Sequence, residues 1–216
     1  GCGMSVTTIL LTVALLAANA FFVGAEFAAM SARRSQLEPL AEAGSKRAQA
    51  ALDAMQHTGI LLATCQLGIT VCSVLLGAIS EAALHHALTP LFTGLGLSPV
   101  VADVVALGLA LGLIVFLHVV YGEMIPKNIS IARPERSALA LVPPLVMVSK
   151  VVAPIIHAMD WLSKALIRLF GVEPKDELAT AFTAEEVAHI LNESRDEGLV
   201  EDEHYERLGA ALDAVP

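Results

Sequence analysis

Charged residues are scarce in this chain. They make up 16% of its 216 residues, whereas 56% of the residues are hydrophobic, and the mean hydropathy is +0.68. A composition this apolar is atypical of a soluble domain of this length. The sequence also lacks a CxxC or Cys/His metal spacing, a nucleophile elbow, an HExxH motif and a Gly-rich phosphate loop. These absences disfavour a soluble fold and an enzyme.

Long apolar runs predict an all-α membrane protein. A run of about 18 or more residues with almost no charge is a candidate transmembrane helix. Three runs qualify: Ser5 to Ala32, in which only Glu26 is charged, Gly59 to Ser80, and Val104 to Tyr121. We therefore expect three transmembrane helices with juxtamembrane or re-entrant helices beside them.

A fourth apolar run, Ser137 to His157, contains three prolines, at positions 143, 144 and 154. Proline lacks the backbone N–H that a helix interior needs, so we expect these residues to break a clean helix. The run can be a bent, interfacial or re-entrant segment, or a span.

The distribution of positive charge predicts the topology. Lysines and arginines occupy the 33–57 segment and recur after Tyr121, whereas the loop around Pro90 to Pro99 has none. By the positive-inside rule, the 33–57 segment and the C-terminal third are cytoplasmic and the 89–99 loop is outside. A full crossing by the fourth run would export the acidic tail, which argues against that crossing.

The two ends of the chain differ from its middle. Residues 1–3 precede Met4 and are expected to be a tag remnant. Residues 4–172 form the predicted transmembrane and juxtamembrane domain. The rest, 173–216, carries most of the net charge of −9 and includes a capping box at Thr183 to Glu186. It predicts a cytoplasmic acidic helical bundle, which we expect to be truncated before a larger module.

The segment after Tyr121 combines a carboxylate with a proline. Counting four residues back from Pro126 gives Gly122, whose carbonyl would be released from the helical ladder beside Glu123. Two oxygen ligands at membrane depth predict a cation site. The alternative is that Glu123 is an interfacial carboxylate paired with Lys127 four residues on.

Other polar or small residues in the apolar runs have two interpretations each. Glu26 can mark function, or it can pair with a basic residue or cap a helix. A stripe of four residues in the second run can line a hydrated cavity or only pack helices: Gln66, Thr70, Ser73 and Gly77. The Gly-xxx-Gly pair in the third run, Gly108 and Gly112, can pack within a protomer or between two protomers.

The two cysteines of the second run, Cys65 and Cys72, lie seven residues apart on one helix face. They cannot form a disulfide with each other, so small buried hydrophobic side chains are their expected role.

Three motifs in order resemble those of the CorB/CorC and cyclin M (CNNM) magnesium transporter family. The first is the string from Asn19 to Ala28 with Ser31 and Arg33 behind it. The second is Gln66 to Thr70, followed by Ser73. The third is Gly122 to Lys127, followed by Arg133-Pro134-Glu135. The resemblance extends from about residue 8 to the end of the chain.

This resemblance implies a homodimer in the cell inner membrane with three transmembrane helices, juxtamembrane helices and an acidic helical bundle. It also implies a pair of CBS modules that bind ATP, which are absent from this sequence. The cargo it implies is Mg²⁺. The first-choice ligands are the side chains of Ser31, Ser73 and Glu123 and the carbonyl of Gly122, and Gly68 and Thr70 are second-choice.

The ligand types agree with that cargo. Mg²⁺ prefers about six oxygen ligands and gives up water reluctantly, and a site with one formal charge can still release it. The cysteines lie off the polar stripe, so soft metals are disfavoured. We expect a Mg²⁺ transporter, with export suggested by the family and coupling to Na⁺ as one option. The alternative is a non-transporting Mg²⁺ sensor that signals to cytoplasmic partners.

Overall fold

The computed structural model describes residues 5–175 and, beyond them, only Leu191, His204, Leu208 and Ala210, each of which is helical. The chain divides into two units, 1–178 and 179–216. The predicted tag remnant and the capping box lie outside the described residues, and so does the predicted acidic bundle, 173–216, apart from residues 173–175 and the four named above. Every regular element among the described residues is helical, so the predicted all-α class is confirmed.

Eight α-helices and two π-helical segments follow one another in the first unit. They are α1 (Val6–Ser31), α2 (Arg34–Glu42), α3 (Lys46–Met55), α4 (Thr58–Leu75), π1 (Leu76–Glu81), α5 (Ala82–Gly94), α6 (Pro99–Leu117), π2 (His118–Met124), α7 (Ile125–Ala132) and α8 (Pro134–Leu169).

Local sequence explains several of these boundaries. Ser5, Ser45 and Ser98 cap α1, α3 and α6, because each side chain accepts the N–H of the residue three positions on. Gly44 and Gly96 adopt positive φ angles of 97° and 91° directly after α2 and α5, a conformation that favours glycine.

The second and third apolar helices are longer than the sequence predicted. The second continues through π1 and α5 as one stretch, Thr58–Gly94, and the third continues through π2 and α7 as Pro99–Ala132. The predicted ends at Ser80 and Tyr121 are therefore wrong, as is the loop expected from Pro90. Pro90 lies inside α5, and only residues 95–98 separate the two stretches.

The fourth apolar run does not break at its prolines. α8 is a continuous helix of 36 residues that contains all three. Pro143 removes the N–H that would bond the carbonyl of Leu139, and the side chain of Arg47 replaces it, with Nη1 donating to that carbonyl at 3.2 Å. The expected helix break is wrong, and at Pro143 a tertiary contact stabilises the freed carbonyl.

By length and composition, four helices are apolar enough to cross a membrane, one more than the three expected: α1, the two stretches and α8. The first part of α8 has a second role. Its residues Ala138, Val142 and Leu145 belong to one buried cluster with Leu37 of α2 and Ala51 of α3. They therefore cover the end of the bundle where α1 ends and α4 begins.

Close contacts between small or polar residues fix the register of α1 against its neighbours. Ser130 of α7 donates to the carbonyl of Gly24 at 2.7 Å, and the hydroxyls of Thr12 and Ser80 hydrogen-bond between α1 and π1. Asn19 and Gly24 of α1 bond Gly122 and Ser130 in the same order along both helices, so the stretch π2–α7 runs beside α1 in the same direction.

Cys65 and Cys72 are both buried and free, as the sequence predicted.

Candidate metal site

The π2 segment explains how a helix passes Pro126. Directly after it the N–H of Ile125 bonds the carbonyl of Val120, five residues back rather than four. Pro126 then falls in the first turn of α7. A π-helical turn changes the hydrogen-bond spacing just before the residue that cannot donate, so the helix continues. Such turns occur frequently at functional sites.

The carbonyl of Gly122 bonds a side chain of another helix. Asn19, in the middle of α1, donates to it from Nδ2 at 2.8 Å. A Cβ at position 122 would stand 2.9 Å from that nitrogen, so the contact requires glycine. Asn19 is fully buried, with 0% of its surface exposed.

The other end of the Asn19 amide has no hydrogen-bond partner. Because the carbonyl of Gly122 can only accept, the amide nitrogen must face it, and Oδ1 points the other way. Among the described residues, no donor reaches this buried oxygen. An unpaired buried acceptor costs about 1–3 kcal/mol. An amide oxygen is a hard ligand, and a bound cation would compensate this cost.

Three further side chains connect α4 to π2. Ser73 gives its hydroxyl proton to the carbonyl of Ile69 at 2.8 Å, so its Oγ accepts from Nε2–H of His118 at 3.0 Å. The same Nε2 lies 3.7 Å from Oε1 of Glu123. His118 thus brings together two of the predicted ligands, Ser73 and Glu123.

The alternative reading of Glu123 as the partner of Lys127 is wrong. In the described part of the chain, no ion pair joins them, and the ammonium of Lys127 lies 4.9 Å from the centre of the Phe27 ring. The carboxylate of Glu123 remains 41% exposed, so it is accessible from one side.

The remaining predicted ligands lie in different surroundings. Gly68 faces the ring of Phe22, and a Cβ there would approach the ring to 2.5 Å, so this glycine makes room for an aromatic side chain. Thr70 is exposed on the protomer surface. Ser31 ends α1 twelve residues beyond Asn19, about 18 Å along the helix axis.

The structure therefore brings Ser73, Gly122 and Glu123 to one level of the bundle, and it places Ser31 at the end of α1. It also adds two residues that sequence reasoning did not select, Asn19 and His118. Each is a polar side chain inside an apolar helix, which is a signal of function in a membrane.

The described residues contain no group of three or more His, Cys, Asp or Glu side chains arranged to hold a metal ion. The oxygens available to a cation at this level are mainly neutral: the Asn19 amide, the Ser73 hydroxyl and the Gly122 carbonyl, with Glu123 as the one carboxylate. Hard oxygen ligands of this kind suit Mg²⁺ better than thiophilic metals.

Comparison with known proteins identifies the family. Residues 10–204 match the family model described as the Cyclin M transmembrane N-terminal domain. The chain is 43% identical over 206 residues to the uncharacterized protein Rv1841c of Mycobacterium tuberculosis, which covers 95% of this chain and 59% of that protein. It is 36% identical over 200 residues to the UPF0053 protein YhdT of Bacillus subtilis, covering 93% and 43%.

The chain thus spans about half the length of the curated relatives it matches. The family match covers most of the chain and includes all three motifs that carried the resemblance. This sequence belongs to the cyclin M transmembrane domain family and is a multi-pass membrane protein.

Proposed function

We propose that this protein transports Mg²⁺ across the cell inner membrane and binds the ion between α1, α4 and π2. The observation that carries this proposal is the buried, unpaired Oδ1 of Asn19, whose amide nitrogen holds the carbonyl of Gly122. Glu123 follows Gly122 directly and supplies the negative charge. Hydrogen bonds already orient Asn19 and Ser73, which lowers the entropic cost of ordering ligands around the ion.

The depth of the site supports transport. Asn19 lies near the middle of the 26-residue α1, and Glu123 is followed by nine more helical residues before α7 ends at Ala132. A site in the middle of apolar helices is in a position to exchange ions with both sides of a membrane if the helices move. A single carboxylate attracts a divalent cation without neutralising it, so the ion can leave.

The orientation follows from the basic residues. Arg33, Arg34, Arg133 and Arg136 lie at the end of the bundle where α1 and α7 end, and by the positive-inside rule that end is cytoplasmic. Export is the proposed direction, as the family resemblance suggests. The Na⁺ gradient is the proposed driving force.

A homodimer is the proposed assembly. A Cβ added to Gly108 or Gly112 would meet no atom within 4 Å in the described chain, so this pair faces away from its own protomer. Packing within the protomer, the alternative for this pair, is thereby disfavoured. A second copy would bury this close-approach surface.

Mg²⁺ flux into liposomes tests the function. The purified chain is reconstituted with a Mg²⁺-sensitive dye inside the vesicles, and Mg²⁺ is added outside with and without an opposing Na⁺ gradient. We expect dye response that depends on the protein and increases with the Na⁺ gradient. Mg²⁺ binding by calorimetry without any flux would contradict transport and support the sensor instead.

A further inference from the structure

An open cavity of about 580 Å³ lies where α1 ends, α7 ends and α8 begins. Its lining includes three arginines, Arg33, Arg133 and Arg136, and one acidic residue, Glu135. Nε of Arg33 donates to Oε1 of Glu135 at 3.2 Å, so these two charges compensate each other. Three arginines against one glutamate leave a net charge of +2, carried by Arg133 and Arg136.

The cavity lies at the level where two apolar helices end. α1 ends at Ser31, two residues before Arg33, and α7 ends at Ala132, directly before Arg133. The arginines therefore lie where the chain leaves the hydrocarbon layer. Basic pockets between helices at this level are suited to the headgroups of anionic lipids.

Apolar side chains flank the cavity on its membrane side. Ile131 lines it and is 50% exposed, while Met30 and Ile129, one turn or less further into the helices, are 63% and 56% exposed. A free phosphate ion gains nothing from these side chains. A phospholipid would lay its acyl chains against them while its headgroup reaches the arginines.

We propose that this cavity binds the phosphate group of an anionic phospholipid. A guanidinium presents paired N–H donors that match two phosphate oxygens, so Arg133 and Arg136 are suited to hold one phosphate between them. The proposal is independent of the ion site, because none of the residues that line the cavity is a ligand candidate.

Lipid titration of the purified chain in detergent, read by native mass spectrometry, tests the proposal. Phosphatidylglycerol and phosphatidylcholine are compared on the wild type and on the double variant Arg133→Gln/Arg136→Gln. We expect preferential binding of phosphatidylglycerol by the wild type. Each arginine that is removed should lower the affinity for phosphatidylglycerol about fivefold, so the double variant should lose roughly 25-fold.

The matched control removes two positive charges from the same end of the bundle but outside the cavity. Arg34, which pairs with Glu38 at 2.9 Å, and Lys46 of α3 serve this purpose. The variant Arg34→Gln/Lys46→Gln should keep wild-type affinity for phosphatidylglycerol. If the control and the double variant lost equal affinity for phosphatidylglycerol, general surface charge would explain the binding and the assignment would be overturned.

A variant that is expected to bind the lipid more tightly separates the proposal from misfolding, because misfolding can only weaken binding. Glu135→Gln removes the one acidic group and frees Arg33, so phosphatidylglycerol should bind several-fold more tightly. Inorganic phosphate is the last ligand to be titrated, because it has the same anionic group without acyl chains. Wild-type lipid affinity in the double variant, equal binding of both lipids, or equal affinity for inorganic phosphate and phosphatidylglycerol would overturn the proposal.

Discussion

Asn19 and Gly122 are joined across two apolar helices by a hydrogen bond of 2.8 Å between the amide nitrogen and the carbonyl oxygen. The sequence separates them by 103 positions, and both are buried. This bond places one oxygen of each residue at the same level as Glu123. It therefore couples the irregular π2 segment to the middle of α1.

Replacing Asn19 by leucine should abolish Mg²⁺ binding. The substitution removes the proposed ligand oxygen. It leaves the Gly122 carbonyl without its donor but also removes the unpaired Oδ1 of Asn19, and because these two effects on stability are opposite in sign and similar in size, we expect the protein to stay folded. Calorimetry measures the affinity, and thermal unfolding in detergent measures the stability. Thr64→Val is the control, because Thr64 is equally buried but bonds only the carbonyl of Ile60 in its own helix. Wild-type Mg²⁺ affinity in Asn19→Leu would remove Asn19 from the site.

Replacing Glu123 by alanine should abolish Mg²⁺ binding while the protein stays folded, since no other carboxylate is proposed as a ligand. Glu123→Gln should be nearly as damaging, because it keeps an oxygen but loses the charge. Protection from protease by Mg²⁺ gives a second readout. Glu42→Gln, a change of the same kind at an exposed position of α2, is expected to leave the affinity unchanged. Unaltered Mg²⁺ affinity in Glu123→Ala would refute the assignment.

Replacing Pro126 by alanine should lower the affinity for Mg²⁺ although no ligand side chain changes. The new N–H can bond the carbonyl of Gly122 four residues back, which restores a regular helix and competes with Asn19 for that oxygen. Calorimetry measures the fall. Pro154→Ala, inside α8, is the control and should bind Mg²⁺ like the wild type. An unchanged affinity in Pro126→Ala would show that the proline does not prepare this carbonyl.

Replacing both Gly108 and Gly112 by leucine should shift a dimer toward the 22.6 kDa monomer. Both positions face away from the protomer, so leucine fits the isolated chain but blocks close approach of a second copy. Light scattering in detergent measures the mass. Gly94→Leu is the control, since this glycine is also open but lies at the end of α5. A fully active dimer in the double variant would place the interface elsewhere.

The sequence predicted the helical class and the family, because apolar runs and short motifs are local signals. It did not predict where the helices end. The prolines of the fourth run indicated a break, but α8 continues and the side chain of Arg47 bonds the carbonyl that Pro143 frees. The third stretch continues past Pro126 because a π turn precedes it. Both solutions depend on the fold, so local pattern could not reveal them.

The sequence also could not show which polar residues lie together at the site, because that depends on contacts between helices. Asn19 belonged to a recognised motif, yet only its contact with Gly122 shows that one amide oxygen is left unpaired. The motif position of Ser31 gave no information on depth. The helix places it about 18 Å from Asn19, at the end of α1.

The location of the bound ion is the most direct test of the account. Mn²⁺ replaces Mg²⁺ in oxygen sites and scatters anomalously, so crystals of the wild-type chain grown with Mn²⁺ reveal its position. The account predicts one anomalous peak within bonding distance of Oδ1 of Asn19 and the carboxylate of Glu123, absent in Glu123→Gln crystals. A peak elsewhere in the bundle, with Oδ1 of Asn19 still unliganded, would contradict it.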